Sequence, residues 1–161
     1  MGLAVLDIDG VVADVRHRLR FVESRPKDWD AFFAAAPDDT PLRRGLDRAT
    51  ELAEQGEVIY LTGRPERCRA DTEAWLHAHG FPQAAVVMRP DRDRRPARQF
   101  KLEQVRRLAA ATPVDLIVDD DPLVVDTLRG AGFVVEHALW MDDGAPQQAS
   151  LFDAQEREGR T

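Results

Sequence analysis

Short apolar runs alternate with segments of helical periodicity along this chain. The three strongest runs are LAVLDI at 3–8, VIYLT at 58–62 and VDLIVDD at 114–120, and weaker runs occupy 84–88 and 133–138. These runs are rich in β-branched residues and contain few polar ones. They therefore predict strands that are buried on both faces, as in a parallel sheet covered by helices.

Helical patterns fill the intervals between the runs. Two of them stop at a glycine, Gly56 and Gly80, and two more are predicted over about 97–111 and 121–132, the last with Pro122 in its first turn. Strands that alternate with helices predict an α/β fold. We expect a Rossmann-like three-layer sandwich with a central parallel sheet.

The length of 161 residues suits one domain with one core. Residues 11–41 are less regular, with a basic stretch and a DWDAFF segment, and we expect them to form a small flap or insert. From about residue 142 the composition turns polar. The sequence thus predicts a domain over 1–141 and a polar, flexible tail over 142–161.

Composition excludes some classes of protein. No apolar run approaches the roughly 20 residues that a membrane span requires, and the first ten residues lack the basic flank of a signal peptide. The single cysteine, Cys68, can form no internal disulfide. We therefore expect a cytoplasmic protein without a membrane segment.

The formal net charge of −7 argues against nucleic-acid binding over the whole surface. Arginines nevertheless concentrate at 16–20 and 89–98, so an anionic substrate stays possible. The second stretch also contains Asp91 and Asp93, and it suits a self-paired loop as well as a loop that binds substrate.

Polar residues stand where the three strongest strands are predicted to end. Asp7 and Asp9 follow the first, Thr62 ends the second, and Asp119 and Asp120 end the third. Ligands of α/β sheets bind outside the carboxyl ends of the strands. We expect these five side chains to meet at one edge of the sheet.

The first pair of acids suits phosphoryl chemistry. One carboxylate can attack phosphorus while the other protonates the leaving oxygen, and a metal ion can hold the phosphate against two negative charges. Gly10 lets the backbone curl around a ligand at this point. Two solvated acids at a strand end would give the same short pattern.

The LTGRP segment offers a place for phosphate. Thr62 can donate a hydroxyl hydrogen bond, Gly63 permits close approach of the backbone, and Arg64 adds a cation before the next helix. An ordinary helix-capping threonine is the alternative.

The third strand ends in three adjacent acids. Asp119, Asp120 and Asp121 repel one another and raise one another's pKa unless a cation lies there, and a hard metal ion is the natural partner. Asp121 directly precedes Pro122 and suits a helix cap. Lys101 lies at the start of the third predicted helix, either exposed or at the rim of the site.

In this order, D-I-D-G-V at 7–11, L-T-G-R at 61–64, Lys101 and V-D-D-D at 118–121 resemble the four motifs of the haloacid dehalogenase (HAD) superfamily. The resemblance covers about residues 3–139. It implies a Rossmann-like fold, an aspartyl-phosphate intermediate and Mg²⁺.

The resemblance also implies roles for single residues. Asp7 would be the nucleophile and a metal ligand, and Asp9 the general acid/base, with its backbone carbonyl on the metal. Asp119 and Asp120 would complete the metal site, and of the two Asp119 is favoured as the direct ligand. The phosphoryl group would be held by Thr62 and Lys101. Where many phosphatases of the superfamily have threonine after the motif glycine, this chain has Val11.

Within the superfamily the chain looks most like the phosphatase domain of polynucleotide kinase-phosphatases. Arg18 and Arg64 match their substrate-side arginines, with Gly63 beside them. The short intervals between motifs leave room for a minimal cap or none, which would admit large substrates. One departure is the segment 95–98, which lacks the acid that those enzymes tend to have before the motif lysine.

These features predict a Mg²⁺-dependent phosphomonoesterase acting through an aspartyl-phosphate. The favoured substrate is the 3′-phosphate end of a nucleic acid. One alternative is a phosphatase of small nucleotides or sugar phosphates, and an alternative of another class is a catalytically idle metal-binding adaptor. The chain lacks the G-x-x-x-x-G-K loop of a kinase.

The tail contains a possible docking peptide. QASLF at 148–152 resembles the short peptide by which bacterial repair and replication proteins bind the sliding clamp, with Gln148, Leu151 and Phe152 as its anchors. The alternative is a tail that folds back onto its own domain through Leu151 and Phe152.

Overall fold

A computed structural model describes residues 2–141, together with Phe152 and Glu156. The strands in this part of the chain are β1 Leu3–Leu6, β2 Ala13–Asp14, β3 Thr40–Pro41, β4 Glu57–Pro65, β5 Ala85–Arg89, β6 Val114–Asp119 and β7 Val135–His137. Its helices are α1 Arg20–Glu23, α2 Trp29–Ala34, α3 Arg43–Gln55, α4 Arg69–Ala78, α5 Ala97–Ala111 and α6 Pro122–Gly130. Short 3₁₀ turns occupy Arg16–Arg18, Ala36–Asp38 and Glu66–Cys68.

Five of the strands form one sheet in the order β5-β4-β1-β6-β7, and every pairing in it is parallel. The central strand is β1, where Leu6 pairs with Tyr60 of β4 on one side and with Val118 of β6 on the other. Parallel strands need crossover connections, which the helices provide. The sheet confirms the predicted Rossmann-like α/β architecture.

The two faces of the sheet carry separate apolar clusters. Leu3 and Val5 of β1 lie in the cluster that also contains Phe100 of α5, whereas Ala4 and Leu6 lie in the other cluster. Side chains alternate between the faces of a strand, so a continuous apolar run supplies both layers at once. Each face is covered by helices, which gives the three layers.

Residues 11–41 form the small insert between β1 and α3. Its two short strands, β2 and β3, pair antiparallel, and α2 buries Trp29, Phe32 and Phe33. The rings of Trp29 and Phe32 pack edge to face with centroids 5.5 Å apart. These aromatic side chains therefore anchor the insert to the core.

The helix boundaries follow the sequence signals. The helix predicted over about 97–111 is α5, Ala97–Ala111, and the one over 121–132 is α6, Pro122–Gly130. Helix α3 ends at Gly56, and Gly80 follows α4 with a φ of 76°, where glycine is favoured. Within the described residues, none of the helices is long and apolar enough to cross a membrane.

Candidate active site

The carboxyl ends of the central strands bring acidic side chains together. Asp7 continues from β1, and its amide donates to the carbonyl of Val118 at 2.9 Å, so it lies directly beside the end of β6. Asp119 is the last residue of that strand. Oxygen atoms of Asp7, Asp119 and Asp120 all lie within 4.8 Å of one another, and the three residues are buried. We call these three residues the acidic triad.

Within the described part of the chain, Lys101 faces the acidic triad. Nζ of Lys101 lies 2.6 Å from Oδ2 of Asp119 and 3.0 Å from Oδ2 of Asp7. Lys101 lies in the second turn of α5, somewhat further from the helix start than the sequence suggested. Three carboxylates against one ammonium leave an excess of two negative charges, which matches a divalent metal ion with oxygen ligands.

The pKa directions reflect this crowding. Burial raises the pKa of Asp7 to about 7, with Asp119 and Asp9 adding to the rise and Lys101 opposing it. Burial, with repulsion from Asp7 and Asp119, also places the pKa of Asp120 well above its ordinary value. These carboxyl groups hold protons readily, and a bound cation would reverse that preference.

A tight turn makes room for the acidic triad. The amides of Val11, Val12 and Ala13 all donate to the carbonyl of Ile8, at 3.2, 2.9 and 3.0 Å. Gly10 within this turn has a φ of 82°, and a Cβ built on it would overlap the carboxylate of Asp120. Only glycine satisfies both conditions.

Asp9 faces a different set of partners. Its Oδ1 accepts hydrogen bonds from Nη2 of Arg18 at 2.9 Å and from Nε and Nη2 of Arg64 at 3.0 and 2.6 Å. Burial alone would raise the pKa of Asp9, but the guanidinium groups of Arg64 and Arg18 hold that pKa well below its usual range. The two aspartates of the first motif thus lie in opposite electrostatic environments.

A second buried carboxylate joins these arginines. Asp39 accepts from Nε and Nη2 of Arg18 at 2.8 and 2.9 Å and from Nη2 of Arg64 at 3.1 Å. The sequence gives no signal for Asp39, which is one of two adjacent acids in a loop, and its neighbour Asp38 is exposed. Only the burial of the side chain in the fold distinguishes it.

The predicted phosphate loop lies beside the arginine pair. Thr62 is buried, and its hydroxyl accepts the amide of Arg64 at 3.1 Å, so this side chain orders the turn that carries Arg64. The carbonyl of Gly63 accepts from Nε of Arg89 at 3.2 Å. Arg89 is buried over the ring of Phe100 and was also not singled out from the sequence.

Asp121 is the N-cap of α6. Its carboxylate accepts the amides of Leu123 at 2.9 Å and Val124 at 3.5 Å, as the sequence suggested for a capping residue. It does not belong to the acidic triad. Burial, with repulsion from Asp119, raises the pKa of Asp121 to about 7.

The arginine-rich loop is largely self-paired. Arg95 pairs with Asp93 at 2.7 Å and also with Glu103, and Arg94 donates to the carbonyl of Asp91 at 2.8 Å. Arg98 of α5 pairs with Glu156 of the predicted tail at 2.9 Å, and Phe152 is partly buried. Gln148 and Leu151 lie outside the described residues.

Known proteins match this chain at the level of family and fold. Residues 2–138 match the model of the polynucleotide kinase PNKP phosphatase domain. No curated protein sequence matches the chain.

Solved structures share the fold at low sequence identity. The chain is similar to a protein from the Pnkp1/Rnl/Hen1 complex, with 22% identity, a TM-score of 0.69, and coverage of 84% of this chain and 45% of that one. A protein from the Pnkp1/Rnl/Hen1 RNA repair complex is 21% identical with a TM-score of 0.69, over 90% of this chain and 44% of that one. This chain thus spans less than half the length of those two proteins.

A class C acid phosphatase from Bacillus anthracis with tungstate bound is also similar. It is 16% identical with a TM-score of 0.58, over 95% of this chain and 79% of that one. The fold is therefore shared with this acid phosphatase as well as with the two proteins from the Pnkp1/Rnl/Hen1 complexes.

Proposed function

We propose, since this chain belongs to the family of polynucleotide kinase PNKP phosphatase domains and is a HAD-like phosphatase, that it removes phosphate from the 3′ ends of nucleic acids. The observation that carries this proposal is the buried pair Arg18 and Arg64 beside Asp9. Guanidinium groups match the oxygens of phosphate in a planar, two-pronged geometry. The pair would contact the nucleic-acid side of the substrate.

Asp7 would be the nucleophile. One of its carboxylate oxygens attacks phosphorus, and the bond from phosphorus to the 3′ oxygen breaks, which leaves an aspartyl-phosphate. The carboxylate is held for this step by the amide of Ile8, which donates to Oδ1 at 2.8 Å, and by Lys101 near Oδ2. Water then attacks the aspartyl-phosphate, phosphate leaves, and Asp7 is restored.

Asp9 would transfer the protons. It gives a proton to the departing 3′ oxygen and later takes one from the attacking water. In the structure its pKa is held low by Arg64 and Arg18. When substrate oxygens engage these guanidinium groups, their hold on Asp9 weakens and its pKa rises toward the value that a general acid needs.

The acidic triad and the backbone carbonyl of Asp9 would hold Mg²⁺. The charge excess of the triad and its oxygen ligands fit a divalent ion of this type. When bound, the ion neutralises charge on the phosphoryl oxygens and on the surrounding carboxylates. Lys101 and the hydroxyl of Thr62 would hold the phosphoryl group on the other side.

The proposal also covers the type of nucleic acid, a protein partner and the location in the cell. One of the two similar proteins belongs to an RNA repair complex, so RNA ends belong among the substrates to be tested. We also propose clamp docking through Gln148, Leu151 and Phe152, to be measured as binding of the tail peptide to a bacterial sliding clamp. A cytoplasmic location is part of the proposal, because Cys68 can form no internal disulfide.

The substrate is tested by comparing phosphate release from a 3′-phosphorylated oligonucleotide, its 5′-phosphorylated isomer, the matching mononucleotide and sugar phosphates, all with Mg²⁺. We expect the 3′-phosphorylated oligonucleotide to have the highest kcat/KM, with a KM that rises with salt because strand phosphates contribute to binding. If sugar phosphates are turned over faster, and salt does not change the KM for the oligonucleotide, the chain is instead a phosphatase of small metabolites. Membership of a phosphatase family argues against the idle adaptor.

A further inference from the structure

Asp39 lies at the end of the insert, between the 3₁₀ turn Ala36–Asp38 and β3. Its side chain is fully buried, and both of its oxygens are used. Oδ1 accepts from Nε of Arg18 at 2.8 Å and lies 2.7 Å from Nε2 of His17. Oδ2 accepts from Nη2 of Arg18 at 2.9 Å and from Nη2 of Arg64 at 3.1 Å.

In each of the two arginines, one nitrogen contacts both buried carboxylates. Nη2 of Arg18 reaches both Asp9 and Asp39, and so does Nη2 of Arg64. Two buried cations are thereby matched by two buried anions. If a neutral residue replaced Asp39, Asp9 would be the carboxylate left to balance the charges of Arg18 and Arg64. A buried charge without its partner is strongly unfavourable.

Asp39 is itself held from outside the site. Its carbonyl accepts the indole Nε1 of Trp75 at 2.9 Å, and its amide donates to the carbonyl of Ala36 at 3.0 Å. Trp75 belongs to α4, which also supplies Thr72, whose hydroxyl accepts from Nη1 of Arg64 at 3.1 Å. Helix α4 therefore contacts both the backbone of Asp39 and one arm of Arg64.

We propose that Asp39 is the positioning residue of this site, which holds Arg18 and Arg64 in the orientation that binds the substrate. Long arginine side chains lose much rotamer freedom when they are fixed, and a two-pronged contact made before the substrate arrives removes that cost from binding. The carboxylate of Asp39 remains in place when Asp9 changes its protonation. This inference rests on the proposed substrate contact of the two arginines.

The first test compares Asp39→Asn with Asp38→Asn, its exposed neighbour. KM and kcat are measured with whichever phosphomonoester the wild-type enzyme turns over, and the folded fraction is followed by circular dichroism and thermal melting. For Asp39→Asn we expect KM to rise about tenfold or more, as for loss of a hydrogen bond to a charged group. Asp38→Asn should leave KM and melting unchanged.

The second test asks whether Asp39 acts through the arginine. In an Arg18→Lys background, Asp39→Asn should raise KM by a smaller factor than in the wild type, because the two-pronged contact between Arg18 and Asp39 has already been lost. A purely structural residue would lower kcat in proportion to the folded fraction, leave KM unchanged and give additive effects. That outcome would overturn the inference.

A milder variant covers the case in which Asp39→Asn does not fold. Trp75→Phe removes the hydrogen bond to the carbonyl of Asp39 together with part of the ring that packs against Phe81. KM should rise in the same direction as in Asp39→Asn, by a smaller factor. An unchanged KM in folded Trp75→Phe would count against the inference. Failure of the 3′-phosphate proposal is separate, since it appears in the substrate preference of the wild-type enzyme.

Discussion

The ammonium nitrogen of Lys101 lies 3.0 Å from Oδ2 of Asp7. Burial alone would lower the pKa of Lys101, but Asp119 and Asp7 hold that pKa above its usual value, so the group stays charged. A fixed cation beside the proposed nucleophile can neutralise charge that develops on the phosphoryl group.

Lys101→Met should therefore lower kcat by about 10² to 10³, the effect typical of losing one preorganised electrostatic contact. Steady-state kinetics with saturating Mg²⁺ measure the change. Arg106→Met, at an exposed position of the same helix, should keep full activity. A loss of less than about threefold in Lys101→Met would mean that Lys101 is not in contact with the reacting group.

Asp7→Asn should abolish turnover, because an amide neither attacks phosphorus nor offers the same charge to a metal ion. The measurement is phosphate release under single-turnover conditions, with the acid-quenched protein analysed for an aspartyl-phosphate. Asp126→Asn, an exposed position on α6, is the matched control. Wild-type activity in Asp7→Asn would falsify the nucleophile assignment.

Metal binding should depend on pH. Burial raises the pKa of Asp7 to about 7, so between the ordinary value of 3.8 and about 7 the folded metal-free protein binds more protons than the unfolded chain. Its free energy of unfolding should therefore fall as pH rises through that interval. Divalent ions need the deprotonated carboxylates, so Mg²⁺ should raise the melting temperature more at about pH 8 than at about pH 5. Equal shifts at both pH values would contradict this prediction.

Asp119 and Asp121 should differ although they are two positions apart. Asp119→Ala removes a member of the acidic triad and should raise the Mg²⁺ concentration needed for half-maximal rate. Asp121→Ala removes the N-cap of α6 and should cost about 1 kcal/mol of stability with a smaller effect on Mg²⁺. Metal titrations and thermal melts of both variants measure these effects. An equal change in the Mg²⁺ requirement would show that Asp119 and Asp121 do not differ in their contribution to metal binding.

Gly10→Ala should impair the site by steric overlap. The added Cβ would meet the carboxylate of Asp120, in addition to the strain of a positive φ. Gly80→Ala provides the control, because Gly80 has a similar φ of 76° but nothing within 4 Å of the added Cβ. We expect both variants to lose some stability and only Gly10→Ala to lose Mg²⁺-dependent activity. Similar activity in the two variants would exclude the overlap as the cause.

Local signals in the sequence were sufficient for the architecture. Apolar runs identified the strands of the parallel sheet, and glycine and proline positions located the ends of α3 and the start of α6. The carboxyl ends of parallel strands lie at one edge of a sheet, which predicted that Asp7 and Asp119 lie close together, as they do. These features depend on the residue order along a strand or helix, which the sequence states directly. The catalytic roles of the site residues stay predictions.

What the sequence could not show is which charged residues become buried partners. Asp39 and Asp38 are adjacent and chemically identical, yet only Asp39 lies against Arg18 and Arg64. Likewise, the sequence left open whether the arginine-rich loop is self-paired, and the structure pairs Arg95 with Asp93. The pairing of Asp39 with Arg64 joins residues that are distant in the chain and distinguishes two neighbours of the same type, because the fold buries Asp39 and leaves Asp38 exposed. The motifs predicted which groups perform the chemistry, whereas only the tertiary structure decided that Asp39 joins Asp9 as a buried partner of the two arginines.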